Sequence, residues 1–187
     1  MGRSITSKKH WLASALAFGL CSFSILRTFE HFALADEERE AKIFTAAVYY
    51  SVRFTNWLNK SRGETSLNIC VQSTPLELKA IENHFHGKRI ANRDPQVIRF
   101  SSSEDQRCAV LYIQDIKEFK PLESRSLSEL TQSGVLTIGR SLDFLKLGGL
   151  IALTEDDNRL LISVNEKILK SSPIRLSSEL LSIAKLR

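Results

Sequence analysis

Two apolar runs near the C-terminus, "GGLIAL" (Gly148–Leu153) and "RLLISV" (Arg159–Val164), are separated only by "TEDDN", Thr154–Asn158. So short a link cannot hold the crossover helix that a parallel return requires, so the two runs must pair as an antiparallel hairpin. An all-parallel sheet is thereby excluded. The paired glycines also invite a phosphate-loop reading. Such a cradle needs glycines that lead into a helix N-terminus, whose free N–H groups and dipole hold the anion. Gly148 and Gly149 lead into a strand, and no Lys-Ser/Thr pair follows them. Their expected role is a tight bend or a close approach of two backbones.

Upstream of the hairpin, strand and helix signals alternate. "LNICVQ", "QVIRF", "CAVLYI" and "GVLTI" read as strands. Between the first two, "STP" marks a helix start, with Ser73 or Thr74 as cap and Pro75 at the first helical position, and Gly87 ends that helix. "PLESRSLSEL" (Pro121–Leu130) is a short helix between the third and fourth strands. Ahead of them all, Asp36–Lys60 reads as a long helix, because Ile43, Ala47, Tyr50, Phe54 and Trp57 recur on one helical face. After the hairpin, "NEKILKSS" and "ELLSIAKL" read as two short helices, the second capped by Ser177 or Ser178 with Leu180, Leu181 and Ala184 inward. The pattern predicts an α/β fold: a mostly parallel sheet of about six strands, helices on both faces and a C-terminal antiparallel hairpin.

The first 35 residues read as a leader and not as part of that domain. Lys8 and Lys9 precede an uncharged apolar run, Leu12–Leu26, and "ALA" (Ala33–Ala35) offers small residues where a signal peptidase cuts. Cleavage after Ala35 is expected, leaving 36–187 as a single domain. The alternative, a retained anchor, needs an apolar run of about 20 residues to cross a bilayer, and this run is shorter. The leader holds four of the 26 Lys and Arg and one of the 21 Asp and Glu, so the remainder carries only +2. So small a charge makes no electrostatic bid for nucleic acid or anionic lipid. Cleavage also removes Cys21 and leaves Cys70 and Cys108. In an oxidising compartment two thiols at the ends of neighbouring strands tend to close a disulfide; the alternative is two buried free thiols.

No catalytic constellation emerges. His84 and His86, in "NHFHG", are two apart, do not share a helical face and have no third ligand at a recognised spacing, so no metal site is expected. The sequence has no G-x-S-x-G elbow. "TEDDN" reads as a solvated turn. Lys88, Arg89 and Arg93 suit an acidic partner or water. No cofactor motif is present. A rival use of the fold is small-molecule binding past the strand C-termini, near Cys70–Ser73, Ile113–Asp115 and Ile138–Ser141. There Arg140 is the one charged side chain able to grip an anion, and a structural salt bridge is its alternative use.

Four blocks together resemble the YfiR-like family of exported bacterial proteins. They are "RFTNW" (Arg53–Trp57) closing the first helix, Cys70 and Cys108 on paired strands, "VLTIGRSLDFLKLGGLIAL" with "NRLLISVN" ending at Asn165, and "LSSELLSIA". The resemblance covers about residues 40–185. It departs at Leu58, where Pro is usual, which suggests that the first helix runs on longer here; Ile162 and Ile183 replace Phe and Leu. It implies a non-enzymatic periplasmic repressor that binds the sensor domain of an inner-membrane protein, above all a diguanylate cyclase, and holds it inactive. It further implies relief by an outer-membrane lipoprotein or a redox change, accessory roles beside sensor kinases, and a homodimer, for which no heptad seam is visible. Arg53, Trp57, Gly148, Gly149 and Asn165 are the family-motif positions.

Overall fold

The computed structural model describes residues 34–57, 65–100, 107–117 and 126–187. Residues 1–33 of the expected leader, "KSRGE", the "SSSEDQR" loop up to Gln106 and the start of the expected 121–130 helix lie outside these. Ala41–Arg187 cluster as one unit, and residues up to Glu40 as another, of which the helical turns 34–40 are described. No described helix is long and apolar enough to cross a membrane.

Helix α1 occupies residues 34–53. Then come β1 (Thr55–Trp57), β2 (Ser66–Gln72), α2 (Pro75–Phe85), β3 (Asp94–Arg99), β4 (Val110–Ile113), α3 (Leu127–Gln132) and β5 (Leu136–Gly139). They are followed by α4 (Leu142–Lys146), β6 (Ile151–Asp156), β7 (Arg159–Val164), α5 (Glu166–Ser171), β8 (Ile174–Leu176), α6 (Ser178–Ile183) and β9 (Ala184–Leu186). Seven strands form the main sheet in the order β3-β2-β4-β5-β6-β7-β9. The pairs from β3 to β6 are parallel, β6–β7 is antiparallel, and β9 returns parallel to β7. Its first five strands follow the doubly wound order 2-1-3-4-5, whose switch point lies between β2 and β4.

Alternation along β4 shows why the sheet is covered twice. Val110 and Tyr112 face a core shared with Phe44, Val48 and Val52 of α1 and Leu78, Ile81 and Phe85 of α2. Leu111 and Ile113 face the opposite core, with Leu127 and Leu130 of α3 and Phe144 and Leu145 of α4. All four β4 residues are buried, as a central parallel strand requires.

Several expectations need correction. α1 stops at residue 53, so it is shorter than the expected Asp36–Lys60 helix and does not run on past Trp57. Thr55 Oγ1 turns back to the Ser51 carbonyl at 2.6 Å, and Thr55–Trp57 pair antiparallel with Ile174–Leu176 in a separate ribbon. Cross-strand pairing wins over helical periodicity there. Of the expected face Ala47 is buried and Phe54 and Trp57 pack against the core, but Tyr50 is 52% exposed, and the deepest contacts come from Phe44, Val48 and Val52, one step round the helix. The hairpin turn has two residues, not five: β6 and β7 pair as far as Asp156–Arg159. Asp157 and Asn158, at φ 47° and 59°, make the doubly left-handed turn that suits strand twist. Helix α4 and strands β8 and β9 were not expected from the sequence at all.

Candidate functional site

At the C-terminal ends of β2, β4 and β5, the elements of the ligand-binding expectation do converge. Pro75 and the Thr74 cap start α2 immediately after β2, and Thr74 Oγ1 accepts from Glu77 N–H. This places Glu77 in the first turn, facing inward. Its carboxylate is 2% exposed and accepts from the Tyr112 hydroxyl of β4 at 2.6 Å and from Arg140 Nη1, just past β5, at 3.3 Å. The Arg140 guanidinium lies 3.6 Å from the centre of the Phe44 ring of α1. One buried network thus joins α1, α2, β4 and the β5–α4 junction. Burial, then the Glu77 charge and hydrogen bond, hold the Tyr112 phenol well above its ordinary range. Arg140 therefore serves the structural salt bridge, the second of its two expected uses. Sequence reasoning missed Glu77 and Tyr112. The usable signal was "STPLE", an acidic residue in a helix's first turn directly behind a buried strand.

The crevice at the switch point is laced by the chain itself. Gln114 Oε1 accepts from Thr74 N–H at 2.7 Å, Gln72 Oε1 from Asp115 N–H at 3.4 Å, and the Gln72 carbonyl from Gln114 N–H at 2.8 Å.

Cys70 and Cys108 form a disulfide, with Cα atoms 5.7 Å apart. It lies in the α3/α4-side core and ties β2 to the chain entering β4.

The glycines act by close approach. A Cβ on Gly149 or on Gly139 would enter the ring of Phe144, which is wholly buried between them. Gly148 has φ 93°, and a Cβ there would come within 2.8 Å of Ser128 Cβ. Asn165 caps α5, accepting from Ile168 N–H at 3.1 Å, and donates to the Leu145 carbonyl at 3.0 Å. It fastens the end of the hairpin to α4. Trp57 pairs with Ile174 across the β1–β8 ribbon, with Arg93 5.0 Å from its ring centre. Arg53 is exposed and donates to the Tyr49 hydroxyl at 3.1 Å. The motif positions are thus spread over the fold and do not converge on one reaction centre.

His84 packs edge-on against Tyr49 at 4.8 Å, and burial, then the nearby Lys88, lower its pKa. His86 is exposed. No group of three or more His, Cys, Asp or Glu among the described residues could hold a metal. Arg89 pairs with Asp94 at 3.5 Å, and Arg93 is buried, so the expected Lys88–Arg89–Arg93 cluster is not one basic surface.

These features define a disulfide-bonded, doubly wound α/β domain with a buried Glu77–Tyr112–Arg140 network at its switch point. The chain belongs to the YfiR/HmsC-like family, whose model matches residues 41–185. No curated protein matches it.

Proposed function

We propose that the chain is a periplasmic regulatory protein that binds the sensor domain of an inner-membrane signalling protein and holds it inactive, with a diguanylate cyclase as the favoured target. The observation that carries this reading is family membership over nearly the whole of the domain, residues 41–185. Two features support it. The Cys70–Cys108 disulfide suits an oxidising compartment. At the switch point, where doubly wound sheets take small ligands, the carboxylate, guanidinium and phenol are spent on one another. A regulator of this kind works by differential binding: it can shift the sensor only as far as its affinities for two sensor states differ.

The test is deletion of the gene with cyclic-di-GMP read in the host. Deletion should raise the dinucleotide, and expression of the exported chain should restore it. Recovery of the protein in the cytosol with both thiols titratable, or an unchanged cyclic-di-GMP level on deletion, would refute the reading.

A further inference from the structure

The outer surface of α1 carries an observation that the buried network does not explain. Tyr50 is 52% exposed, yet its ring is held in place, stacked on Phe54 at 6.1 Å and 14° and edge-on to Tyr49 at 5.6 Å. Next to Tyr50 in the chain, Tyr49 accepts from Arg53 at its hydroxyl at 3.1 Å, and the Lys88 ammonium lies 4.2 Å from the centre of the Tyr49 ring. Neither cation pairs with a carboxylate among the described residues, whereas Arg89, Lys146 and Lys170 each do. An exposed aromatic already fixed in one orientation loses little entropy on contact. Tyr and Arg are also the residue types that dominate binding energy at protein interfaces.

We infer that this aromatic–cationic face is the surface that docks the partner, and that the partner presents carboxylates around an apolar contact for Tyr50. The inference rests on the regulatory reading above and names its surface. Charge complementarity selects the occupant: two cations with no carboxylate partner among the described residues hold the Tyr49 ring against which Tyr50 packs, which suits an acidic protein segment. A membrane surface is the poorer fit, because anionic lipid recognition takes a cluster of about 4–8 Lys and Arg.

The experiment uses the protein purified from the host envelope and right-side-out inner-membrane vesicles of the deletion strain. Saturable binding is expected. Tyr50→Ala should bind about tenfold more weakly, and Arg53→Glu likewise, with melting temperatures unchanged. Binding should vanish when the vesicles are first shaved with protease. It should be absent on protein-free vesicles of phosphatidylethanolamine and phosphatidylglycerol. Unaltered affinity in both variants, equal binding to the protein-free vesicles, or a dimer that Tyr50→Ala dissociates would each overturn the inference. Cyclic-di-GMP separates the two proposals. If deletion raises it and both variants restore it, the surface is wrong and the regulatory reading stands. If vesicle binding needs Tyr50 and Arg53 but deletion leaves cyclic-di-GMP unchanged, the surface stands and the proposed target falls.

Discussion

Arg140→Met probes the buried network directly. Methionine keeps an unbranched chain over Phe44 but removes the charge. The Glu77 side chain is 2% exposed and that of Arg140 is 13% exposed, so the carboxylate stays desolvated without the Arg140 counter-charge. Removing one partner of a buried pair costs about 3–5 kcal/mol. The residual exposure of Arg140 admits some solvent screening, which places the loss near the lower end, about 3 kcal/mol. For a domain of this size each kcal/mol moves the midpoint by about 2–4 °C, so Tm should fall by about 6–12 °C. Glu77→Leu in the Arg140→Met background removes the stranded charge. It should recover part of the loss, leaving roughly 1–2 kcal/mol for the Tyr112 hydroxyl deprived of its acceptor. Thermal and urea unfolding of the oxidised protein, followed by circular dichroism, would measure both. A loss below about 0.5 kcal/mol in Arg140→Met, the range of exposed pairs, would refute the argument. So would a double variant less stable than the single one.

Four further outcomes follow from the same packing. Cys108→Ser should cost up to about 4 kcal/mol, from closure of a loop with sequence separation 38; reductant should lower the Tm of the parent and leave that of the variant in place, and it should also relieve repression if the disulfide sustains the active fold. Gly149→Ala should lose about 1–3 kcal/mol by overpacking against Phe144, with partial rescue by Phe144→Leu in the same chain; equal melting temperatures for parent and Gly149→Ala would contradict the contact. The folded-state pKa of Tyr112 is raised above its ordinary value of 10.0, so its stabilising share is whole below that pH and is lost as the pH rises further, because the unfolded chain ionises first; Tyr112→Phe should flatten the alkaline limb of stability, as pH-dependent unfolding would record. Ala91 holds φ 50° in the tight turn bridged by Ile90 and Arg93, so Ala91→Gly should raise stability by up to about 1 kcal/mol, seen as a higher urea midpoint.

What the sequence disclosed tracks how local each signal is. The Thr74–Pro75 start of α2, the hairpin and the buried run of β4 were legible because capping chemistry, loop length and continuous apolarity act within a few residues. Strands β1 and β8 were hidden because neither pairs within its own neighbourhood; Thr55–Trp57 find Ile174–Leu176 far along the chain. Phe54 and Trp57 also continued the α1 spacing and drew the expected helix past its end. α4 is only five residues long, and "SLDFLK" beside a glycine pair looked like loop. Arg140 was visible as a charge at a strand end, but its partners Glu77 and Tyr112 sit 63 and 28 positions away in a chain whose pairing no local pattern encodes.

The switch point and the outer face of α1 are mechanically one problem. Phe44 of α1 covers the Arg140 guanidinium, and two turns further along the same helix come Tyr50 and Arg53. The helix is held below by the Glu77–Tyr112–Arg140 network and at its end by Thr55, whose strand pairs with β8. Doubly wound folds commonly keep the switch-point crevice for a ligand. In this chain the charges there instead brace a helix whose outer side carries Tyr50 and Arg53. A protein that acts by contact gains from that use, since a surface rigid before docking spends less of its binding energy on ordering itself. Loosening the network with Arg140→Met should therefore weaken vesicle binding even though Arg140 is not part of the docking face, while Leu161→Ser, an exposed apolar change on β7, should leave it unaltered. Equal binding by all three proteins would separate the two features and leave the network as stability alone.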